Sequence, residues 1–210
     1  MPNDKTPKVL SMSEKNKVLN PWFCSDGDFD RLYPSSIQAL ASKHWTPLMI
    51  ARKVVHFLVR ESGVRILDIG SGAGKFCLGA AYYQPGAFYT GIEQRKNLVL
   101  CAKDAKARLQ FKNVNFIHGN FTMLDLRYYD HFYFYNAFHE NLIGTEKIDY
   151  SIAYSNELYH YYIQYLRWQL ERLPRGTQLA TFHSTEDEIP ASYHLAGCDF
   201  DDLLKFWIKT

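Results

Sequence analysis

Short apolar runs bounded by turn residues alternate along the chain with longer stretches whose apolar residues recur every three or four positions. The first pattern reads as buried strand and the second as amphipathic helix. Strands are predicted at 64–69, 88–92, 114–118, 131–135 and 177–182, with helices at 75–83, 95–109 and 154–173 between them. Two helices are expected ahead of the first strand. One covers 35–43, with Ser35 or Ser36 as its N-cap. The other starts at Thr46-Pro47, carries Ile50, Val54, Phe57 and Leu58 at helical spacing, and closes at Gly63. In 154–173, Tyr154, Leu158, Tyr161, Tyr165 and Trp168 read as one face, expected in the core. Strand candidates at 192–195 and 203–209 lie close together, which predicts a terminal hairpin and one antiparallel strand. The fold class that follows is α/β: a doubly wound, mostly parallel seven-stranded sheet with one antiparallel strand in a C-terminal hairpin, plus an N-terminal helical segment. The expected divisions are a flexible polar arm at 1–20, a helical lid segment at 21–63 and the α/β core at 64–210.

Composition narrows the function. With 210 residues, 47% apolar and 16% aromatic, the chain can bury a full core, so disorder throughout is excluded. A net charge of +2 with both signs interleaved is not the footprint of a general nucleic-acid binder. Cys24, Cys77, Cys101 and Cys198 form no C-x-x-C pair, and the histidines show no ligand spacing, so neither a disulfide scaffold nor a metal site is expected. No run approaches the roughly 18 apolar residues of a membrane span. Residues 1–20 lack an apolar signal region, and a cytoplasmic protein is expected.

The chemistry concentrates at Asp68-Ile69-Gly70-Ser71-Gly72-Ala73-Gly74, a glycine turn between a predicted strand and helix. Such a turn lets backbone approach a ligand closely. Spacing separates the cofactor classes that use it. A phosphate loop needs G-x-x-x-x-G-K-[ST], but Ile69 and Phe76 stand at two required positions. A dinucleotide fingerprint needs its third glycine at position 75, and here it is Gly74. At the end of the second strand, Glu93 lies nineteen residues beyond Gly74, where an acid can accept both hydroxyls of a ribose.

The pattern D-x-G-x-G-x-G resembles motif I of the class I, Rossmann-like S-adenosylmethionine-dependent methyltransferases. The likeness covers about residues 45–209 and implies S-adenosyl-L-methionine as cofactor and S-adenosyl-L-homocysteine as product. It implies cofactor contacts at Thr46, Asp68, Gly70, Ser71, Gly72, Gly74, Glu93 and Gln94, and an adenine site at Asn120 and Phe121. The family usually has an acid where this chain has Asn120. At the fourth strand's end, Asn136-Ala137-Phe138-His139-Glu140 resembles a [DN]-P-P-[FYW] motif without its prolines. The resemblance places Asn136, Phe138, His139 and Glu140 at the methyl-transfer site, with His183 a further candidate base. It also allows Trp45-Thr46-Pro47 to close over the methionine end of the cofactor.

The acceptor expected is a small molecule or protein side chain, with an amine favoured because Glu186-Asp187-Glu188 offers an acidic rim. No membrane partner is expected; RNA or DNA stays open as acceptor, without support from any stacking platform with a basic groove. The rival readings are a cofactor-binding protein without catalysis and a nicotinamide-dependent oxidoreductase.

Overall fold

A computed structural model describes residues 20–210. The expected arm therefore lies, but for Asn20, outside the described residues. Four short helices come first: α1 (Asp26–Asp30), α2 (Ser35–Gln38), α3 (Ala41–His44) and α4 (Leu48–Leu58). The alternation that follows is β1 (Arg65–Ile69), α5 (Lys75–Tyr83), β2 (Phe88–Glu93), α6 (Lys96–Leu109), β3 (Val114–His118), β4 (His131–Tyr135), α7 (Asn156–Glu171) and β5 (Gln178–Phe182). The hairpin of β6 (Tyr193–Asp199) and β7 (Leu204–Lys209) ends the chain.

The seven strands form one sheet in the order β3-β2-β1-β4-β5-β7-β6. The first five are parallel, and β7 runs antiparallel between β5 and β6. Residues at 1, 3, 5 and at 2, 4 of a strand face opposite sides. Ile66, Tyr133 and Ala180 therefore join one core with α4, α5 and α6. Leu67, Ile69, Phe132, Phe134 and Leu179 join a second with α7. Strands covered on both faces read as continuous apolar runs, which is why β1 and β4 stand out in the sequence.

Three expectations need correction. The helix expected at 35–43 is two short helices, α2 and α3, broken at Ala39–Leu40. The helix expected to run to Gly63 stops at Leu58, where Val59 turns extended. Gly63 belongs to the next turn, at φ +87°, and its N–H donates to the Gly86 carbonyl at 2.8 Å. The third concerns α7, whose buried positions are Tyr162, Leu166, Gln169 and Leu170. Tyr161 and Trp168, expected in the core, are 51% and 50% exposed. A helix face one residue away carries the packing, because Leu166 and Leu170 lie against the sheet.

The N-terminal segment is continuous with the first core through Phe23, Phe29, Leu32, Tyr33 and Trp45. Lys75, only 4% exposed, ties it to the start of α5 by ion pairs to Asp26 (2.7 Å) and Asp30 (2.6 Å). The Tyr33 hydroxyl donates to the Ala73 carbonyl beside it.

Candidate active site

In an open parallel sheet, ligands gather beyond the carboxyl ends of the strands, where the chain leaves for opposite faces. Here β1 has β2 on one side and β4 on the other, with Ile69 level with Ile92 and Phe134. A cleft of about 670 Å³ opens at this edge. Its floor is Gly70, Gly72, Glu93 and the turn after β4. Leu40, Lys43, His44 and Trp45 wall one side, and Glu140, Glu146 and Ile148 the other. Lys43 and Glu146 pair across it at 2.5 Å.

The glycine turn leaves β1 in a left-handed step. Gly70 has φ +77°, and a Cβ there would stand 2.4 Å from the Ala137 Cβ. Gly74, at φ +85°, would put a Cβ 2.5 Å from the Phe116 ring. Only glycine meets both demands. The turn's amides are used within the protein. Gly70 and Ser71 N–H both donate to the Ile92 carbonyl at 3.0 Å, and Gly74 N–H donates to Ser71. Gly72 N–H donates to Glu93 Oε2 at 3.1 Å. The Ser71 hydroxyl is buried with no hydrogen-bond partner among the described residues.

Asp68 lies beneath the turn, with Thr46, Ser71 and Lys75 around a narrow space of about 30 Å³. The Cys77 thiol donates to it at 3.5 Å. Burial pushes the Asp68 carboxyl up to about 8, against that thiol bond and with the nearby Glu93 charge adding to the rise. Thr46 is shared with Tyr133, hydroxyl to hydroxyl at 2.9 Å.

Glu93 points into the same edge. Its Oε1 accepts from Arg95 N–H at 2.8 Å. Burial raises its carboxyl, and the two backbone N–H groups with the Arg95 guanidinium pull it back. Arg95, which the sequence reading passed over, is the hub of the site. Its buried guanidinium reaches Glu140 at 2.5 Å, Asp149 at 3.3 Å and the Tyr154 hydroxyl at 2.6 Å. These partners are 45 to 59 residues away in sequence, so no local pattern announces them. Glu140 also accepts from Ile148 N–H. It is thus tied into the clasp that holds the chain from 139 to 154 over the β2 end.

Asn120 is equally engaged: its amide donates to Gln94 (3.2 Å) and Tyr162 (2.8 Å), and its oxygen accepts from Thr122 N–H. Phe121 and Phe138 are buried and stacked at 4.9 Å, with Tyr162 against both. The space between Gln94, Phe121, Phe138 and Tyr154 is only about 30 Å³.

The ends of β4 and β5 differ. Tyr135 pairs with Phe182, so Asn136 and His183 follow side by side. Both are left-handed, at φ +43° and +54°. A non-glycine residue held there is strained unless its surroundings fix it, asparagine less so than histidine. Both line the cleft, as does His139. Among the described residues, neither the Asn136 amide nor the His183 ring has a hydrogen-bond partner. His183 lies against Tyr135 and Phe182. Burial lowers its pKa, and also that of His44 across the cleft. His44 was missed by the sequence reading because it precedes the Trp45-Thr46-Pro47 signal and has no spacing partner.

The acidic run does not reach the cleft. Residues 186–188 close a turn in which Glu188 is buried, accepting from Thr185 N–H and the Tyr159 hydroxyl, and Glu186 pairs with Lys205. Among the described residues, no cluster of metal-binding side chains occurs and no helix is long and apolar enough to cross a membrane.

The family described as a methyltransferase domain matches residues 60–155. A tRNA (guanine-N(7)-)-methyltransferase of Microcystis aeruginosa is 40% identical over 57 residues, 27% of each chain. One from Synechocystis is 35% identical over 66 residues, 31% of each. The match thus spans less than a third of these relatives. Among solved structures, the fold is shared with an RNA methyltransferase from Salinibacter ruber in complex with S-adenosyl-L-homocysteine. The TM-score is 0.53 at 21% identity, covering 79% of this chain and 93% of that one.

Proposed function

We propose that this chain, which carries a methyltransferase domain of the class I S-adenosylmethionine-dependent family, transfers a methyl group to a base nitrogen of an RNA. The observation that carries the cofactor half is the pair Ser71 and Asp68. Among the described residues the buried Ser71 hydroxyl has no partner and the buried Asp68 carboxyl has the weak Cys77 thiol donor, an arrangement that is costly unless a polar ligand meets it. The methionine end of S-adenosylmethionine, held by Asp68 and Ser71, would supply an ammonium and a carboxylate there. Glu93 retains lone pairs beyond its two N–H bonds and takes the ribose hydroxyls. The adenine side is the tight one. There the chain from 139 to 154, tied down through Arg95, must yield for the base to lie against Phe121.

S-adenosylmethionine, when bound, supplies a methyl group already activated on sulfur. The protein's part is alignment and proton handling. Asn136, unpaired and aimed into the cleft, positions the acceptor nitrogen through its amide oxygen. His183 stands beside it as a neutral imidazole and accepts a proton where the acceptor carries one. His44 and His139 line the same space. Buried Trp45 gives it an apolar wall, and the exposed Lys43–Glu146 pair spans it. Phe138 acts by packing, holding the Asn136 turn against Phe121, and Glu140 by fixing Arg95.

RNA is preferred to a cationic amine for two reasons. The acidic run that favoured an amine is turned away from the cleft, and the curated relatives are tRNA methyltransferases. The experiment is a thermal shift with S-adenosyl-L-homocysteine beside NAD and ATP, followed by transfer of labelled methyl to tRNA lacking modifications and to a lysine-rich peptide. Label in tRNA alone is the expected result. Label in the peptide alone overturns the acceptor, and a shift with NAD or ATP alone overturns the cofactor.

A further inference from the structure

The sequence between 96 and 112 holds Lys96, Lys103, Lys106, Arg108 and Lys112 against one acid, Asp104. The whole chain has an excess of only +2, so the remainder is net acidic. Residues 43–65 carry the same excess as 96–112, but there Lys43, Lys53 and Arg65 are paired with Glu146, Asp199 and Asp130. Asp104 neutralises Arg108, at 2.9 Å. The lysines are left over: among the described residues, Lys96, Lys103, Lys106 and Lys112 have no acid or hydrogen-bond partner. Three of them, Lys103, Lys106 and Lys112, line a groove of about 460 Å³ with the amides of Gln110 and Asn115 and the Phe111 ring.

The row has a direction. It begins at Lys96, the residue after Arg95, which lines the cleft. It follows α6 for its 14 residues, about 21 Å, and ends where β3 begins. That length is on the scale of a nucleic-acid duplex. The groove is concave and bordered by amides, which suits a backbone of phosphates and sugar hydroxyls better than a flat lipid surface. The chain's own first residues are no candidate occupant, because Lys5, Lys8, Lys15 and Lys17 outnumber Asp4 and Glu14 there.

We propose that this α6 groove is a docking track for the sugar–phosphate backbone of a structured RNA, whose target base enters the cleft at the other end of the row. The proposal rests on the RNA reading above and adds the surface that holds the body of the acceptor.

The test measures binding of an unmodified tRNA transcript to the full chain by fluorescence anisotropy across a salt series. Lys103→Glu with Lys106→Glu and Lys112→Glu should weaken binding about tenfold or more near physiological salt. It should also flatten the salt slope by about 2, since each lost phosphate contact removes roughly 0.7–0.9 from it. The corresponding triple Gln variant should lose less. Arg175→Glu, an exposed cation elsewhere, should change neither quantity. The thermal shift with S-adenosyl-L-homocysteine should be the same in all of them. That keeps the two readings apart, because loss of this shift in the parent protein would fail the methyltransferase reading alone. Equal affinity and slope in parent and triple Glu variant overturn the proposal. So does absence of tRNA binding by the parent, or tighter binding to phosphatidylserine vesicles than to tRNA.

Discussion

At Asp68 burial decides the charge state. Its folded pKa, about 8, stands above the ordinary carboxylate value near 3.8. The unfolded chain therefore releases this proton first. The stability tied to the neutral form is complete below about pH 4 and drains as pH rises through about 8, at up to about 1.4 kcal/mol per pH unit. Asp68→Asn keeps the neutral shape, so its Tm should exceed the parent's at pH 8 and converge with it near pH 4. The same variant should bind S-adenosyl-L-homocysteine more weakly, having no charge to offer an ammonium. Paired melts with and without ligand read both effects. A parent whose Tm gains on the variant as pH rises would place Asp68 outside the buried site. A second contrast separates holding from positioning. Glu93→Ala should raise the cofactor Kd tenfold or more with little change in kcat at saturation. Asn136→Ala should lower kcat about a hundredfold with the Kd nearly unchanged. Equal effects of the two would remove the assigned division of labour.

At the scale of elements, α7 shows why a sequence can announce a helix and misplace its face. Tyrosines dominate the helix, and an aromatic stripe looks like core. The residues that meet the sheet are instead Tyr162, Leu166, Gln169 and Leu170. Tyr161 and Trp168 are exposed, the Arg172 guanidinium lying over the indole at 4.5 Å, while Tyr165 is half-buried against the core with its hydroxyl donating to the Thr122 carbonyl. Leu166→Ala should therefore cost about 3 kcal/mol in denaturant unfolding, and Trp168→Ala less than about 1 kcal/mol. The opposite order would restore the stripe to the core. The strands were easier to read, since β1 and β4 are apolar on both faces and a continuous run needs no choice of side. The end of the second helix was not, because Gly63 serves the next turn rather than the helix.

On the scale of the molecule, one buried cation joins the apolar contacts that hold the N-terminal helices as a wall of the cleft. Lys75 has Asp26 and Asp30 as its acids and the Phe29 and Trp45 rings at 5.5 Å. Lys75→Ala strands Asp30 beside the core and should cost about 2–3 kcal/mol, with Asp26 half exposed and contributing less. That is a fall of roughly 5–10 °C in Tm for a chain of this size. Limited proteolysis should then cut first between residues 30 and 47. An unchanged digestion pattern would mean the hydrophobic contacts of Phe29 and Trp45 hold the segment without the ion pairs.

What was legible in the residues is what local physics dictates: the strand–helix alternation, the glycine turn that only a left-handed, side-chain-free backbone can make, and the acid one strand away at a set spacing. These follow from neighbours in the chain, and from them come the fold class and the cofactor. Long-range contacts governed the rest. Arg95 gathers acids from 140 and 149, and Lys75 gathers them from 26 and 30, with no pattern in between. Asn120 and Glu140, open for chemistry on paper, are engaged by partners more than 25 residues away. Asn136 and His183, 47 positions apart, become neighbours only because β4 pairs with β5. The charge on α6 becomes a groove only when β3 closes beside it. Pairings of this kind carry no local signature, because the energy that selects them arises when the whole sheet is assembled.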